Sequence, residues 1–433
     1  MRRNAVRTST AIVAAALVGA SLSGCSSSGS TAGAGGSAST SFTYWSMWTQ
    51  NEPQAKVIQA AADGFTKQTG IKVNIQWQGR QVLTKLTPTL RTGSPADLVD
   101  ESVNALGELV SLGEDTDLTP LYDTKVTGES QTVGEVIPAK YQQYLQDKNG
   151  KPFMVPYEVA TEALWFNAAK FPALSASPPT TFNGLLTLLA QVKASGTAPI
   201  ALPSNDAYWT DLVFQRTLGT DGWRKLATDR TGAAWNDPKV LAAAQQVASL
   251  RANGDFIKGY ESSQGTEEET DWAQGKAAFY LSGTWVPSEA APNVTPGFRF
   301  DSIQLPPVDG GNSDAGINFF GFAVPRTARH ADAAEKFIAY FMQKSVLSGI
   351  STEALNLTPR ADIAPPAQLA SVSKALATDT VYADGAHLSV DYPDWMNKVW
   401  TPNVTALETG QLSAAAFVKT VKQATVDYWQ SQP

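Results

Sequence analysis

This chain of 433 residues contains one cysteine, two histidines and five methionines. The lone Cys25 has no partner for an intramolecular disulfide. A large apolar core must therefore hold the fold, and a hydrophobic content of 43% permits one in each of two domains. His330 and His387 stand beside no promising Ser, Cys or second His, so triad and His-based zinc chemistry are poorly supplied. The 33 Lys and Arg are outnumbered by 40 Asp and Glu and form no basic cluster. That argues against nucleic acid as a partner, because phosphate contacts need cations grouped on one face. No apolar run reaches the ~20 residues of a spanning helix. There is no internal repeat at solenoid period. Asp309-Gly-Gly-Asn312-Ser-Asp314 lacks the ligand spacing and terminal Glu of an EF-hand and reads as a turn, so neither metal nor cofactor is expected.

What is present begins with an address. Arg2, Arg3 and Arg7 precede a short apolar run from Ala11 to Ala20, and Leu22-Ser23-Gly24-Cys25 closes it with small residues. That tetrapeptide is similar to a bacterial lipobox, which implies lipidation of Cys25 after removal of residues 1–24. Losing the three arginines moves the net charge from −7 to about −10. Residues 25–41, rich in Gly, Ser and Ala, have nothing to bury and read as a flexible tether. The pattern implies a folded body held at the outer face of a cell membrane.

The body opens with the β-rich run Phe42 to Trp48. Val57, Ile58, Ala61, Ala62 and Phe65 then recur at helical spacing within Gln54 to Gln68, and Ile71 to Trp77 alternates like a strand. Strand, helix and strand in so short a span predict a parallel βαβ unit. Further helices are expected over Val82 to Thr92, from Phe182 through Val192, over Asp332 to Leu347 and between Trp395 and Trp429. Strands are expected at Ala198 to Leu202 and Gly316 to Pro325. In TEEETDWAQGKAAFYLSGTW, Thr266 and Glu269 have capping-box spacing, Gly275 closes the helix, and Ala277 to Leu281 is a buried strand. Trp285 then stands just past a strand end, where open α/β sheets bind ligands. Glu267, Glu268 and Glu269 read as a solvated first turn.

The helix followed by GKAAFYLSGTW, together with PADLVD, GKPFMVPYEVATEALWFN, PPTTF, GINFFGFAVP and NLTPR, resembles in order the extracellular solute-binding proteins of ABC importers, in their carbohydrate-binding, maltose-binding-protein-like group. The resemblance runs from about Phe42 to the C-terminus. It implies an α/β fold of two lobes, each a mostly parallel sheet flanked by helices, joined by about three crossings. Residues 42–150 with 317–362 would form one lobe, and 151–316 with 363–433 the other. It also implies a monomeric, non-enzymatic receptor that delivers its ligand to membrane permease subunits.

Sugars present hydroxyls on their edges and weakly apolar C–H faces, so a sugar site needs aromatic plates together with carboxylates or amides. Trp48, Trp209 and Trp285 in loops, with Tyr157 and Phe320, are the candidate plates. Glu52, Glu101, Asn104, Glu158, Asp206 and Asn318 are the candidate hydroxyl partners. Trp45 and Trp77, inside strands, read as core. An amino-acid or polyamine ligand is disfavoured, since no Arg cluster accompanies the acids and Arg360 alone is placed near the cleft. Two readings stay open beside the receptor for a sugar or another solute. A glycosidase needs only two suitably spaced carboxylates, and an adhesion protein would gather its aromatics on a convex face.

Overall fold

The computed structural model describes residues 39–203, 207–263, 266–308, 311, 314–378 and 380–432. Their strands are β1 (Ser41–Ser46), β2 (Lys72–Trp77), β3 (Leu98–Ser102), β4 (Val155–Ala160), β5 (Ala163–Asn167), β6 (Ala198–Ala201), β7 (Ala277–Ser282), β8 (Phe300–Ile303), β9 (Ala315–Ala323) and β10 (Val381–Ala383). They form two sheets. The first runs β10-β9-β3-β1-β2, with β4 also on β9; the second runs β6-β7-β5-β8.

The opening βαβ unit is as expected: β1 and β2 are parallel across the Pro53–Thr69 helix, which buries Val57, Ile58, Ala61, Ala62 and Phe65. Both sheets are nevertheless mixed. β9 runs antiparallel to β3 and β4, and in the second sheet only β6 and β7 are parallel. The expectation of mostly parallel sheets fails there because β5 pairs with β7 and β8, both of which run against it. The stretch expected as one helix after Asp332 is two, Ala331–Phe341 and Lys344–Thr352, separated at Met342 and Gln343.

β4 belongs to the first sheet, although the expected lobe boundaries put its residues in the second lobe; it pairs along β9 from Phe322 to Asn318. The first crossing between sheets is therefore the two residues between Ala160 and Ala163, and Pro156-Tyr157 lies within β4, at a register shift against β9. A second crossing joins β8 to β9. The third lies near Pro365 and Pro366, between the Ala364 carbonyl, held by Ser351 Oγ at 2.6 Å, and the turn Ala367–Leu369, which contacts β8. The chain returns once more, since Leu388–Asp391 packs on the first-lobe helix Val103–Leu112, with Gly107 leaving no room for a Cβ against Val390.

Each lobe has its own aromatic core. Phe42, Tyr44, Phe65, Phe322, Phe337 and Phe341 pack together beside the first sheet. Beyond the second, Trp400 contacts Trp223, Trp235 and Trp395 along with Phe214 and Phe417. Four of the 12 tryptophans thus serve a single core. No helix of the described residues is long and apolar enough to cross a membrane.

Candidate functional site

A cavity of about 1170 Å³ opens between the two sheets. Its first wall comes from strand ends and the segments that follow them: Met47, Trp48, Thr49 and Glu52 after β1, Arg80 after β2, Ser102 at the end of β3 and Asn104 after it, with Asn318 and Phe320 on β9. The second wall comes from Tyr208 and Asp211 on the helix Tyr208–Thr228, Glu269 and Thr270 on Thr266–Ala273, and Trp285, Ser288 and Glu289 around Val286–Ala290, while Asp384, past β10 of the first sheet, lies on a segment that also contacts the helix Tyr208–Thr228.

The first wall is wired from behind. Trp48 is only 2% exposed, and its Nε1 donates to Tyr157 Oη at 2.7 Å. Tyr157 in turn donates to Asp100 Oδ2 at 2.7 Å, and Asp100 also accepts from Met47 N at 2.8 Å and Ser46 Oγ at 3.3 Å. Burial pushes the Asp100 carboxyl up to about 6, against the pull of these donors. The Arg80 guanidinium lies 4.6 Å from the Trp48 ring centroid, within cation–π range. Arg80 also grips Glu52 at 2.6 and 3.1 Å and the Met47 carbonyl at 2.8 Å. Burial raises the Glu52 carboxyl, but the Arg80 and Thr49 donors outweigh it, so Glu52 is held below its ordinary value.

Aromatic rings cross the gap. Phe320 stands 5.8 Å from Trp48 on its own wall and 5.9 Å, edge to face, from Trp285 on the other. Trp285 owes its pose to the Gly two residues before it, since a Cβ on Gly283 would fall 2.1 Å from the indole ring. Gly275, at φ +79, makes the left-handed turn that sends the chain into β7, as its place in the sequence predicts.

The acids of the second wall have environments unlike Glu52. Burial, and then the neighbouring Glu289, push Glu269 up to about 8; burial pushes Glu289 up to about 7 despite Arg80 at 3.9 Å. Burial also raises Asp384, past β10 of the first sheet, to about 6.

Of the expected site residues, Trp48, Glu52, Asn104, Trp285, Asn318 and Phe320 meet at this cavity. Tyr157 is not a plate: it is fully buried and serves as the post behind Trp48. Glu158, also fully buried, accepts from Gln54 Nε2 at 3.4 Å and does not line the cavity. Glu101 faces a neighbouring pocket beside Arg80, its carboxylate accepting from Ser102 N. Trp209 falls in the first turn of a helix rather than in a loop, and that turn rotates its ring into the core while presenting Tyr208 and Asp211 to the cavity. Asp206 lies outside the described residues. Arg360, expected near the cleft, does not line it. It is 3% exposed and paired with Glu129 and Asp362 inside the first lobe, and it is Arg80 that supplies the cation of the cleft. Glu268 and Glu269 are buried, and only Glu267 has the solvated place expected of all three. Cys25, and the side chain of Thr266 expected to cap its helix, lie outside the described part of the chain. Sequence reasoning missed Arg80, Asp211, Glu289 and Asp384; the signal for Arg80 was its position just past β2, equivalent to that of Glu101 at the end of β3.

Residues 60–379 match the family model described as bacterial extracellular solute-binding protein. The chain belongs to that family. The solute-binding protein is 28% identical over 188 residues to a probable sugar-binding periplasmic protein of Rhizobium meliloti, an alignment covering 42% of this chain and 44% of that one, so it spans under half of that relative's length. Against a probable sugar-binding periplasmic protein of Brucella suis the identity is 26% over 296 residues, covering 66% and 69% of the two chains. The solute-binding protein RafE in complex with raffinose shares the fold at TM-score 0.73 and 18% identity, covering 89% of this chain and 99% of that one. Members of this family are binding receptors placed outside the cytoplasm.

Proposed function

We propose that this chain is a lipid-anchored receptor of an ABC importer that captures a mono- or oligosaccharide between two lobes and delivers it, chemically unchanged, to permease subunits. The observation that carries the reading is the placement of Trp48, Phe320 and Trp285 at one cavity, with Phe320 meeting Trp48 on its own wall and Trp285 of the opposite wall. Aromatic faces converging on a cleft suit the C–H faces of a sugar ring and do not suit an adhesion surface, which would spread them outward. The sugar-binding names of the relatives and the raffinose bound to RafE point the same way.

In this reading the first lobe takes residues 42–160 with 315–364, and the second takes 163–303 with most of the chain after residue 366. Ligand contacts from both walls would favour a closed arrangement over an open one by hinge motion at the crossings. Cys25 would hold the body to the membrane through the tether. The test is intrinsic Trp fluorescence of the purified chain titrated with mono- and oligosaccharides, with product analysis of the same samples. A saturable change at micromolar sugar, with the sugar recovered intact, is expected. Cleaved sugar would make it a carboxylate-pair hydrolase instead, and silence across the panel would remove the sugar reading.

A further inference from the structure

The cavity lining holds more carboxyl groups than cations to pair them. It holds Glu52, Asp211, Glu269, Glu289 and Asp384 against a single cation among the described residues, Arg80. Arg80 is committed to Glu52 by two hydrogen bonds and reaches Glu289 only at 3.9 Å. Asp211 accepts from Trp400 Nε1 at 2.7 Å, and Asp384 from Gly385 N at 2.8 Å. Glu269 differs from them all. It is 5% exposed, it lines the cavity, and among the described residues it has no hydrogen-bond or ion-pair partner.

A largely buried carboxyl at a cavity wall loses part of its hydration and, with no protein partner, gains no bond within the protein in return. The cost rises when a second carboxyl faces it, as Glu289 does. A neutral sugar hydroxyl would supply one donor to such a pair but no charge. An ammonium group supplies three donors and a positive charge that favours ionisation of both carboxyls beside it. The shortage of Arg, counted in the sequence against an amino-acid or polyamine ligand, bears only on a ligand carboxylate; an amine needs no anion-binding group.

The position of this acidic pair beside a ring narrows the ligand further. Glu289 N donates to the Trp285 carbonyl at 3.1 Å, so ring and carboxyl are one helical turn apart and neighbours on the same side. A ligand lying on Trp285 therefore has its edge at Glu289 and Glu269. Building on the sugar-receptor reading, we propose that the preferred ligand is an amino sugar, whose ring lies against Trp285 while its protonated primary amine sits between Glu269 and Glu289.

The test is titration calorimetry of the full-length chain at neutral pH with matched probes. These are glucosamine and its β-1,4 trimer, glucose and cellotriose, N-acetylglucosamine and chitotriose, and galactosamine with galactose. Spermidine is the amine without a sugar. At least one free-amine sugar is expected to bind about tenfold or more tighter than both its hydroxyl and its N-acetyl counterpart. Glu269→Gln, and independently Glu289→Gln, should bring that preference close to parity, with circular dichroism and Tm verifying that each variant is folded. Sugars that bind with no preference for the amine would overturn this proposal and leave the sugar receptor standing. Spermidine binding while every sugar is silent would overturn the sugar reading itself, and silence of all probes would overturn both.

Discussion

The two walls of the cleft are finished to different degrees. On the first, Trp48 is fixed through Tyr157 to Asp100, and Glu52 is closed off by Arg80 and the Thr49 amide, so its polar groups are largely satisfied before any ligand arrives. On the second, Glu269 has no partner among the described residues and Glu289 has only a distant one. The difference separates two tasks. A wired wall holds a ring in one pose and loses little conformational entropy on binding. An unsatisfied wall gains most when something is placed against it, and that gain is what can drive the lobes together.

The largest expected effect comes from cutting the wiring. Asp100→Ala strips the acceptor from Tyr157 Oη, Met47 N and Ser46 Oγ at a fully buried point, so about 3 kcal/mol of stability should go, on the scale of a broken buried polar network. Chemical denaturation would measure it; a loss under about 1 kcal/mol would mean the first wall is not held this way. Next is the ring of the second wall. Trp285→Ala should weaken sugar binding at least tenfold, about 1.4 kcal/mol, with unchanged Tm, as read by calorimetry. Gly283→Ala should act in the same direction by evicting the indole while leaving its chemistry intact.

The contrast also explains what the sequence could and could not disclose. The βαβ opening, the strand Ala277–Ser282 and the Gly-x-Trp after it were legible because periodicity and backbone conformation are local properties. Trp209 was not, because beginning the helix at Tyr208 rather than after Trp209 rotates the ring by a large angle, and nothing local fixes that start. Nor was the fate of three adjacent glutamates. Successive helical residues point about 100° apart, and only packing against the Trp285 segment decides which of them faces the cavity. Arg360 and Arg80 look alike in a sequence; one is sealed by Glu129 and Asp362 and the other reaches across a loop to cover Trp48. Aromatic count misled in the same way, since the Trp400 cluster uses the residue type that sugar sites use.

A smaller effect separates burial from binding. Glu158 sits behind the first wall with Oε1 unpartnered, and burial pushes its carboxyl up to about 8 from an ordinary 4.5. A raised folded value means the native state holds the proton more tightly than the unfolded chain does. Its stabilising contribution is complete below about pH 4.5 and is lost as pH rises through about 8. Glu269 and Glu289 shift in the same sense. The ligand-free protein should therefore lose a few degrees of Tm between pH 5 and pH 9, and Glu158→Gln should flatten part of that slope. A Tm that rises over this range would contradict the burial of these acids as neutral groups.

The smallest effect on stability should come from Arg80, for all its contacts. It is 47% exposed, so its pair with Glu52 is screened, and Arg80→Gln should cost under about 1 kcal/mol. Its consequence lies in the comparison between walls. Without Arg80, Glu52 keeps only the Thr49 amide, and the first wall acquires an under-paired acid of the kind the second already has. The preference for an amine over a hydroxyl should then widen, because the cavity has lost its single lining cation among the described residues. Calorimetry of Arg80→Gln with glucosamine and glucose would measure that change. A preference that narrows instead would mean that Arg80 contacts the ligand directly, and that the first wall is less complete than its internal hydrogen bonds make it.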